Sequence, residues 1–204
     1  MACSNAPAAI IAARLYALDK NPDDLAWARK IYDWMKQYVV EPARGLVWDA
    51  YGNTAESGIY TYNQGTFIGA ALELYLATND NNYRKDALRN VNYIINDQQR
   101  FSPNGILKGE NTGDGGLFKG ILIRYMTQLV EKGELDDNTR GIYIKYLQKN
   151  AESLAGKATW KPGNTFGPDW HTMPANGQPD CSVQLSGIML LESLDELKRL
   201  NMLK

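Results

Sequence analysis

Histidine and cysteine are nearly missing from this chain, and each shortage removes a class of chemistry. The 204 residues hold one histidine, His171, and two cysteines, Cys3 and Cys181. Two cysteines so far apart match no zinc spacing and are too few for a disulfide framework, so both are read as unpaired thiols; the alternative, a bridge between them, would need the first and last helices to start side by side. A single histidine leaves no second imidazole for a zinc site. A Ser-His-Asp triad would have to use it, and no nucleophile-elbow pattern is present. No metal and no cofactor is expected.

Charge of one sign is lacking too. Lys and Arg number 22 against 23 Asp and Glu, a formal charge of -1. With no basic excess to neutralise a phosphate backbone, nucleic acid is not expected as a partner. No apolar run reaches the length of a membrane span. The opening "MACSNAPAAIIAARLY" is small and apolar, but it has no basic flank and runs straight into Arg14 and Tyr16, so it reads as mature structure, not a signal peptide. Sustained apolar-polar alternation is also missing; only "GLVWDAY" and "NGILKG" could be short extended pieces.

What is there is helical. Hydrophobic residues make up 44% of the chain, enough for one domain over residues 1–204 with a real core. Apolar periodicity predicts seven helices, over Asn5–Leu18, Pro22–Val39, Tyr62–Thr78, Tyr83–Asp97, Gly115–Glu131, Asp137–Ala155 and Ser182–Leu200. The second starts clearly, with Asn21 to cap, Pro22 for the first turn, and Asp23 and Asp24 at the positive helix end. "AARLYALDKNPDDLAWARKIYDWM" and "ALELYLATNDNNYRKDALRNVNYII" repeat a helix, a Leu-Tyr pair, a polar turn and a helix. Tyr16, Tyr75 and Tyr125 are expected at the same late position of helices one, three and five. Odd helices are apolar on most sides, whereas even helices carry a charged face. Stacked hairpins of this kind predict an all-α fold, an α/α toroid with odd helices inside and even helices outside. Lys30, Arg84 and Lys145 should then face away from the central space.

The connections after even helices are long and aromatic, and those after odd helices are short. Long irregular loops in a compact domain are usually functional. One rim should therefore collect Trp48, Asp49, Tyr51, Tyr60, Tyr62, Asn63, Gln64, Asp114, Phe118, Lys119, Trp160, Trp170 and His171. Aromatic faces beside planar amides and carboxylates suit sugars, whose C–H faces stack on rings and whose hydroxyls need fixed donors and acceptors. The plainer reading gives the aromatics a loop-anchoring role, Asn63 and Gln64 a capping role, and Asp114 a helix-dipole role. Two acidic pairs, Asp23-Asp24 and Asp136-Asp137, read as helix starts. Glycoside hydrolysis needs one carboxyl kept protonated and a second placed as nucleophile or base, and no convincing catalytic pair stands out, so the catalytic residues stay unassigned.

"SNAPAAIIAARLY", "WARKIYDWM", "GLVWDAY", "TYNQGTFIGAALELY" and "GDGGLFKGILIRY" resemble, in order and spacing, glycoside hydrolase family 76. The resemblance implies an (α/α)6 toroid and retaining endo-α-1,6-mannanase activity, with mannan oligosaccharide or polysaccharide as the partner. It implies an extracellular or cell-envelope location. It places Tyr62, Asn63, Gln64, Asp114, Phe118 and Lys119 in or beside the mannan cleft, where the loop residues Trp48, Asp49 and Trp170 would join them. The family's catalytic Asp-Asp pair precedes the segment that resembles the start of this chain. Seven helices also fall short of the full ring. The expectation is therefore the C-terminal part of the toroid, binding mannan but inactive by itself, with self-association or pairing with a missing N-terminal segment. The alternatives are a non-catalytic carbohydrate-binding protein and a helical-repeat module that binds protein.

Overall fold

Short polar turns close the hairpins where the repeat places them. The computed structural model describes residues 1–52, 58–174 and 179–203; parts of two predicted rim connections, 53–57 and 175–178, lie outside the described residues. Seven α-helices are present among these: α1 (Ala2–Asp19), α2 (Pro22–Tyr38), α3 (Thr61–Thr78), α4 (Asn81–Asn96), α5 (Asp114–Lys132), α6 (Asp137–Gly156) and α7 (Cys181–Arg199). α1 and α3 end alike. Lys20 (φ 61°) and Asn79 (φ 57°) take the left-handed conformation, and their N–H groups return to the carbonyls of Tyr16 and Tyr75. Tyr125 departs from this pattern, because α5 runs on to Lys132 and closes through Gly133 onto Leu129.

The outer helices start on acids and amides. Asn21 caps α2 through Asp23, Asp80 caps α4, and Asp136 caps α6 through Thr139. Asp137 pairs with Arg140 at 2.8 Å. Both acidic pairs are thus helix-start residues at outer turns.

α1, α3, α5 and α7 pack side by side in sequence, with α2 behind α1 and α4 behind α3. The inner wall approaches closely because small residues line it. Ala2, Ala6, Ala9 and Ala13 form the buried stripe of α1, and a Cβ on Gly65 of α3 would lie 2.6 Å from the Leu122 Cα of α5. α3 is the central stave, buried along most of its length, with Phe67 stacked on Tyr32 of α2 at 5.2 Å. Lys30 lies over the exposed ring of Trp27, Arg84 over Tyr75, and Lys145 is exposed on α6, all on outer helices. This is the α/α toroid arrangement. The inner helices are less uniformly apolar than their composition suggests: Arg14, Glu73 and Gln128 link α1, α3 and α5 by hydrogen bonds. α1 and α7 are also not buried all round. Each has an inner neighbour on one side, so Ile11, Leu15 and Leu18 of α1, and Leu185, Ile188 and Leu191 of α7, stay exposed.

Of the two extended stretches, "GLVWDAY" contributes one isolated bridge, Val40 to Val47, and "NGILKG" begins in a 3-10 turn, Pro103–Gly105. The one described hairpin lies elsewhere: β1 (Thr159–Trp160) pairs antiparallel with β2 (Thr165–Phe166).

The three long connections meet at the N-terminal ends of the inner helices. The Ala2 N–H donates to the Asp49 carbonyl at 2.7 Å. Thr61 at the head of α3 bonds Glu110, and Gly113 before α5 donates to Asp180 at 3.1 Å.

Candidate functional site

The head of α3 has no cap of its own. Tyr60 sits at the cap position in extended backbone and offers no side-chain acceptor. Glu110, from the 97–113 connection, takes that place: its carboxylate accepts the Thr61 N–H at 2.9 Å and the Thr61 hydroxyl as well. Burial pushes the Glu110 carboxyl up, against the opposing pull of these bonds and of the Lys119 charge.

Asn63 therefore does not cap. Its amide donates to Asp49 Oδ1 at 2.9 Å, and the Tyr62 hydroxyl donates to the same oxygen. Burial first, and then the Asp49 carboxylate, raise the Tyr62 phenol well above its ordinary value. Asn63 is fully enclosed, and its Oδ1 has no partner among the described residues. Above this trio Tyr60, Tyr62 and Phe118 form an aromatic cluster. Tyr62 and Phe118 lie 4.2 Å apart between ring centroids, Tyr60 and Phe118 5.5 Å, and Tyr60 and Tyr62 5.8 Å. Tyr60 remains 39% exposed, so the cluster reaches solvent through it. A cleft of about 280 Å³ opens beside it, lined by Ile59, Tyr60, Arg100, Lys108, Glu110 and Asn111.

Gln64 faces the other way. Its Oε1 accepts from the Val47 N–H and from Asn90 Nδ2, both at 2.9 Å, and its Nε2 donates to the carbonyls of Val47 (2.7 Å) and Tyr60 (3.1 Å). It is enclosed, and it ties the 39–60 connection to α3 and α4. Lys119 is also enclosed. Its ammonium donates to the Pro168 carbonyl and lies 4.5 Å over the Trp170 ring. Burial lowers its pKa to about 8, despite the nearby carboxylates of Glu110 and Asp169. Trp170 is fully buried, with its carbonyl held by Ser153 at 2.6 Å.

Asp114 is the exposed first residue of α5. Trp48 is half-buried; its backbone N–H donates to the Val39 carbonyl at 2.9 Å, and its indole N–H has no partner among the described residues. Tyr51 is 70% exposed and edge-on to Tyr38. Trp160 packs over Gly163 on β1, and His171 bridges two connections. The structure thus brings Asp49, Tyr60, Tyr62, Asn63 and Phe118 together, and puts Gln64, Lys119 and Trp170 behind them. Glu110 and Asn90 escaped the sequence reading. Glu110 lies among turn residues in "KGENTGD", and nothing near it marks Thr61 as its partner. A larger groove of about 920 Å³ runs between α5 and α7, lined by Arg124, Gln128, Glu131, Met189, Glu192 and Glu196, in their C-terminal halves and away from this rim. No metal-binding cluster occurs among the described residues.

The model of glycosyl hydrolase family 76 matches residues 1–198. The chain belongs to that family. Among solved structures it is similar to the α-1,6-mannanase GH76A of Salegentibacter sp. HEL1_6, at 42% identity and a TM-score of 0.88 over 96% of this chain and 59% of that one. That protein was solved as an inactive double-aspartate variant in complex with α-1,6-mannotetrose. The Lin0763 protein of Listeria innocua is 31% identical with a TM-score of 0.79, over 96% of this chain and 55% of that one. Among curated proteins, the mannan endo-1,6-alpha-mannosidase DCW1 of Eremothecium gossypii is 23% identical, over 93% of this chain and 44% of the relative. The chain thus spans less than half the length of that curated relative. As a family 76 chain it has the expected fold, and no helix among its described residues is long and apolar enough to cross a membrane.

Proposed function

We propose that this chain forms a glycan-binding wall of an α-1,6-mannan-acting glycoside hydrolase of the extracellular space or cell envelope. One observation carries the reading: an enclosed amide, Asn63, fixes the Asp49 carboxylate against the Tyr62 hydroxyl, directly beneath a solvent-facing aromatic cluster. A carboxylate held in place at the foot of aromatic rings can accept from sugar hydroxyls while the rings stack on C–H faces. The 42%-identical neighbour, solved with α-1,6-mannotetrose, supports the choice of ligand. Tyr62, Asp49, Phe118, Asp114 and Trp48 are the proposed contacts, with Asn63, Gln64, Lys119 and Trp170 holding them from behind.

Turnover is not part of the proposal for these 204 residues alone. Both Asp-Asp pairs stand at the starts of outer helices, where neither can supply both the acid that protonates a leaving oxygen and the group that attacks. Calorimetric titration with α-1,6-mannotetrose tests the reading. Saturable binding is expected, weakened about tenfold or more by Tyr62→Ala or Asp49→Ala, because hydrogen bonds unmade at a half-buried site cost about 1–3 kcal/mol. Absence of saturable binding sinks the proposal. Hydrolysis of mannan by the purified chain would overturn the non-catalytic part and turn attention to Asp49 and Asp114.

A further inference from the structure

The chain's one histidine has no donor on either side of its ring. Nδ1 of His171 lies 2.8 Å from Asp169 Oδ1, and Nε2 lies 3.0 Å from the carbonyl oxygen of Pro103. The Pro103 carbonyl can only accept. Asp169 is held below the ordinary carboxylate range: burial pushes it up, but hydrogen bonds from the His171 ring and backbone, and the charges of His171 and Lys119, outweigh that. It too therefore accepts. A neutral imidazole has one N–H and one lone pair, so it can make one of these contacts and must oppose a lone pair to the other acceptor. The imidazolium makes both. The backbone restrains the ring further, since the His171 N–H donates to Asp169 Oδ1 at 3.1 Å.

We propose that His171 is a positioning residue of the rim: as an imidazolium it clips the 97–113 connection to the 157–180 connection, and on losing a proton it releases that clip. Its effect on glycan binding rests on the function proposed above; the clip itself rests only on the two acceptors. Each end of the clip leads to the aromatic cluster. The Pro103 side continues to Glu110, which caps α3 just before Tyr62. The Asp169 side adjoins Pro168 and Trp170, which hold Lys119 next to Phe118 in α5. The charged groups along the clip are Asp169 beside the ring, Lys119 of α5, whose charge reaches Asp169, Glu110 beside Lys119, and Lys149 of α6, whose ammonium lies against Gly105.

Nitrogen-15 NMR of the His171 ring, run with mannotetrose titrations across pH 5.5 to 8, tests the proposal, because imidazole changes charge in that window. Both ring nitrogens should be protonated at pH 5.5. The amides of Asn104 to Leu107 should move with the ring as it deprotonates, and affinity should fall about three- to tenfold, as for one net hydrogen bond. His171→Gln, which cannot reach both acceptors, should bind weakly at every pH in the window. His171→Arg, which keeps several donors at any of these pH values, should bind tightly throughout it. The Lys119 titration near pH 8 remains in both variants and so cannot imitate these differences. A neutral ring at pH 5.5, or amides of 104–107 that ignore the ring, overturns the clip. If wild type binds no mannotetrose at any pH while ring and amides titrate together, the clip stands and the glycan reading fails.

Discussion

Replacing Gln64 with alanine separates a residue that touches glycan from one that holds the wall. In the structure Gln64 is enclosed and makes four hydrogen bonds, two through each end of its amide. The substitution strands the Val47 N–H, the Val47 carbonyl and the Tyr60 carbonyl. Asn90 Nδ2 keeps its bond to the Gly45 carbonyl at 2.6 Å. A buried polar group left unpaired costs about 1–3 kcal/mol. Three such groups, relieved in part by water entering the space, give a destabilisation of about 3–5 kcal/mol, at the upper end for single substitutions. For a chain of this size that lowers the midpoint of thermal unfolding by roughly 10 °C. Urea and thermal unfolding followed by circular dichroism measure it directly. A loss under about 1 kcal/mol would refute the assignment of Gln64 to the frame, because the orphaned backbone groups would then have had other partners. Gln64→Glu sharpens the test. A carboxylate can still accept from Val47 and Asn90 but confronts two carbonyls, so its folded pKa should rise and stability should fall as pH climbs above the ordinary carboxylate range.

Gly65→Ala should destabilise by about 1–3 kcal/mol in the same assay, since the new methyl meets the backbone of α5 at Leu122, which cannot turn aside as a side chain can. Lys119 titrates near pH 8 in the folded chain and at its ordinary, higher value when unfolded, so between these the unfolded state binds more protons and stability rises with pH. Wild type should therefore gain stability from pH 8 to about 9.5 relative to Lys119→Met, and parallel curves for the two would contradict the burial of that ammonium.

Helix periodicity made the fold legible because each hairpin is a local unit. Asn21 and Asp23, or Tyr16 and Lys20, settle their geometry within four residues of chain. The alternation of apolar and charged helices then set inside against outside, and the Lys30, Arg84 and Lys145 positions agree with it. Partners distant in sequence were not legible. Asn63 and Gln64 are adjacent amides in one motif, yet one fixes Asp49 and the other enters a frame with Asn90, 26 residues further on. Glu110 and Thr61 are 49 residues apart. Trp170 reads as a loop aromatic and is fully buried, because the 157–180 connection folds down onto α6 through Ser153. Composition gives a residue its vocabulary of contacts, and only the fold chooses among them.

That choice follows one pattern at this rim: α1, α3 and α5 are each held at the head by a connection from elsewhere in the chain, and α7 by its own cap, Asp180. Asp49 serves α1 through its carbonyl and α3 through its carboxylate. Glu110 serves α3, and Asp180 serves both α7 and the residue before α5. Helix heads are the orphaned donor ends of the backbone, and acidic acceptors placed there gain from both the hydrogen bond and the helix dipole. A toroid gathers all its inner heads on one rim, so meeting this structural need concentrates carboxylates and amides where a cleft forms. The polar groups that a glycan would meet are thus partly the ones the helices already require. Fixed between a helix head and an enclosed amide, Asp49 is set in place before any ligand arrives. Most of the ordering entropy of such a side chain is spent in folding, which leaves more of its hydrogen-bond energy for binding.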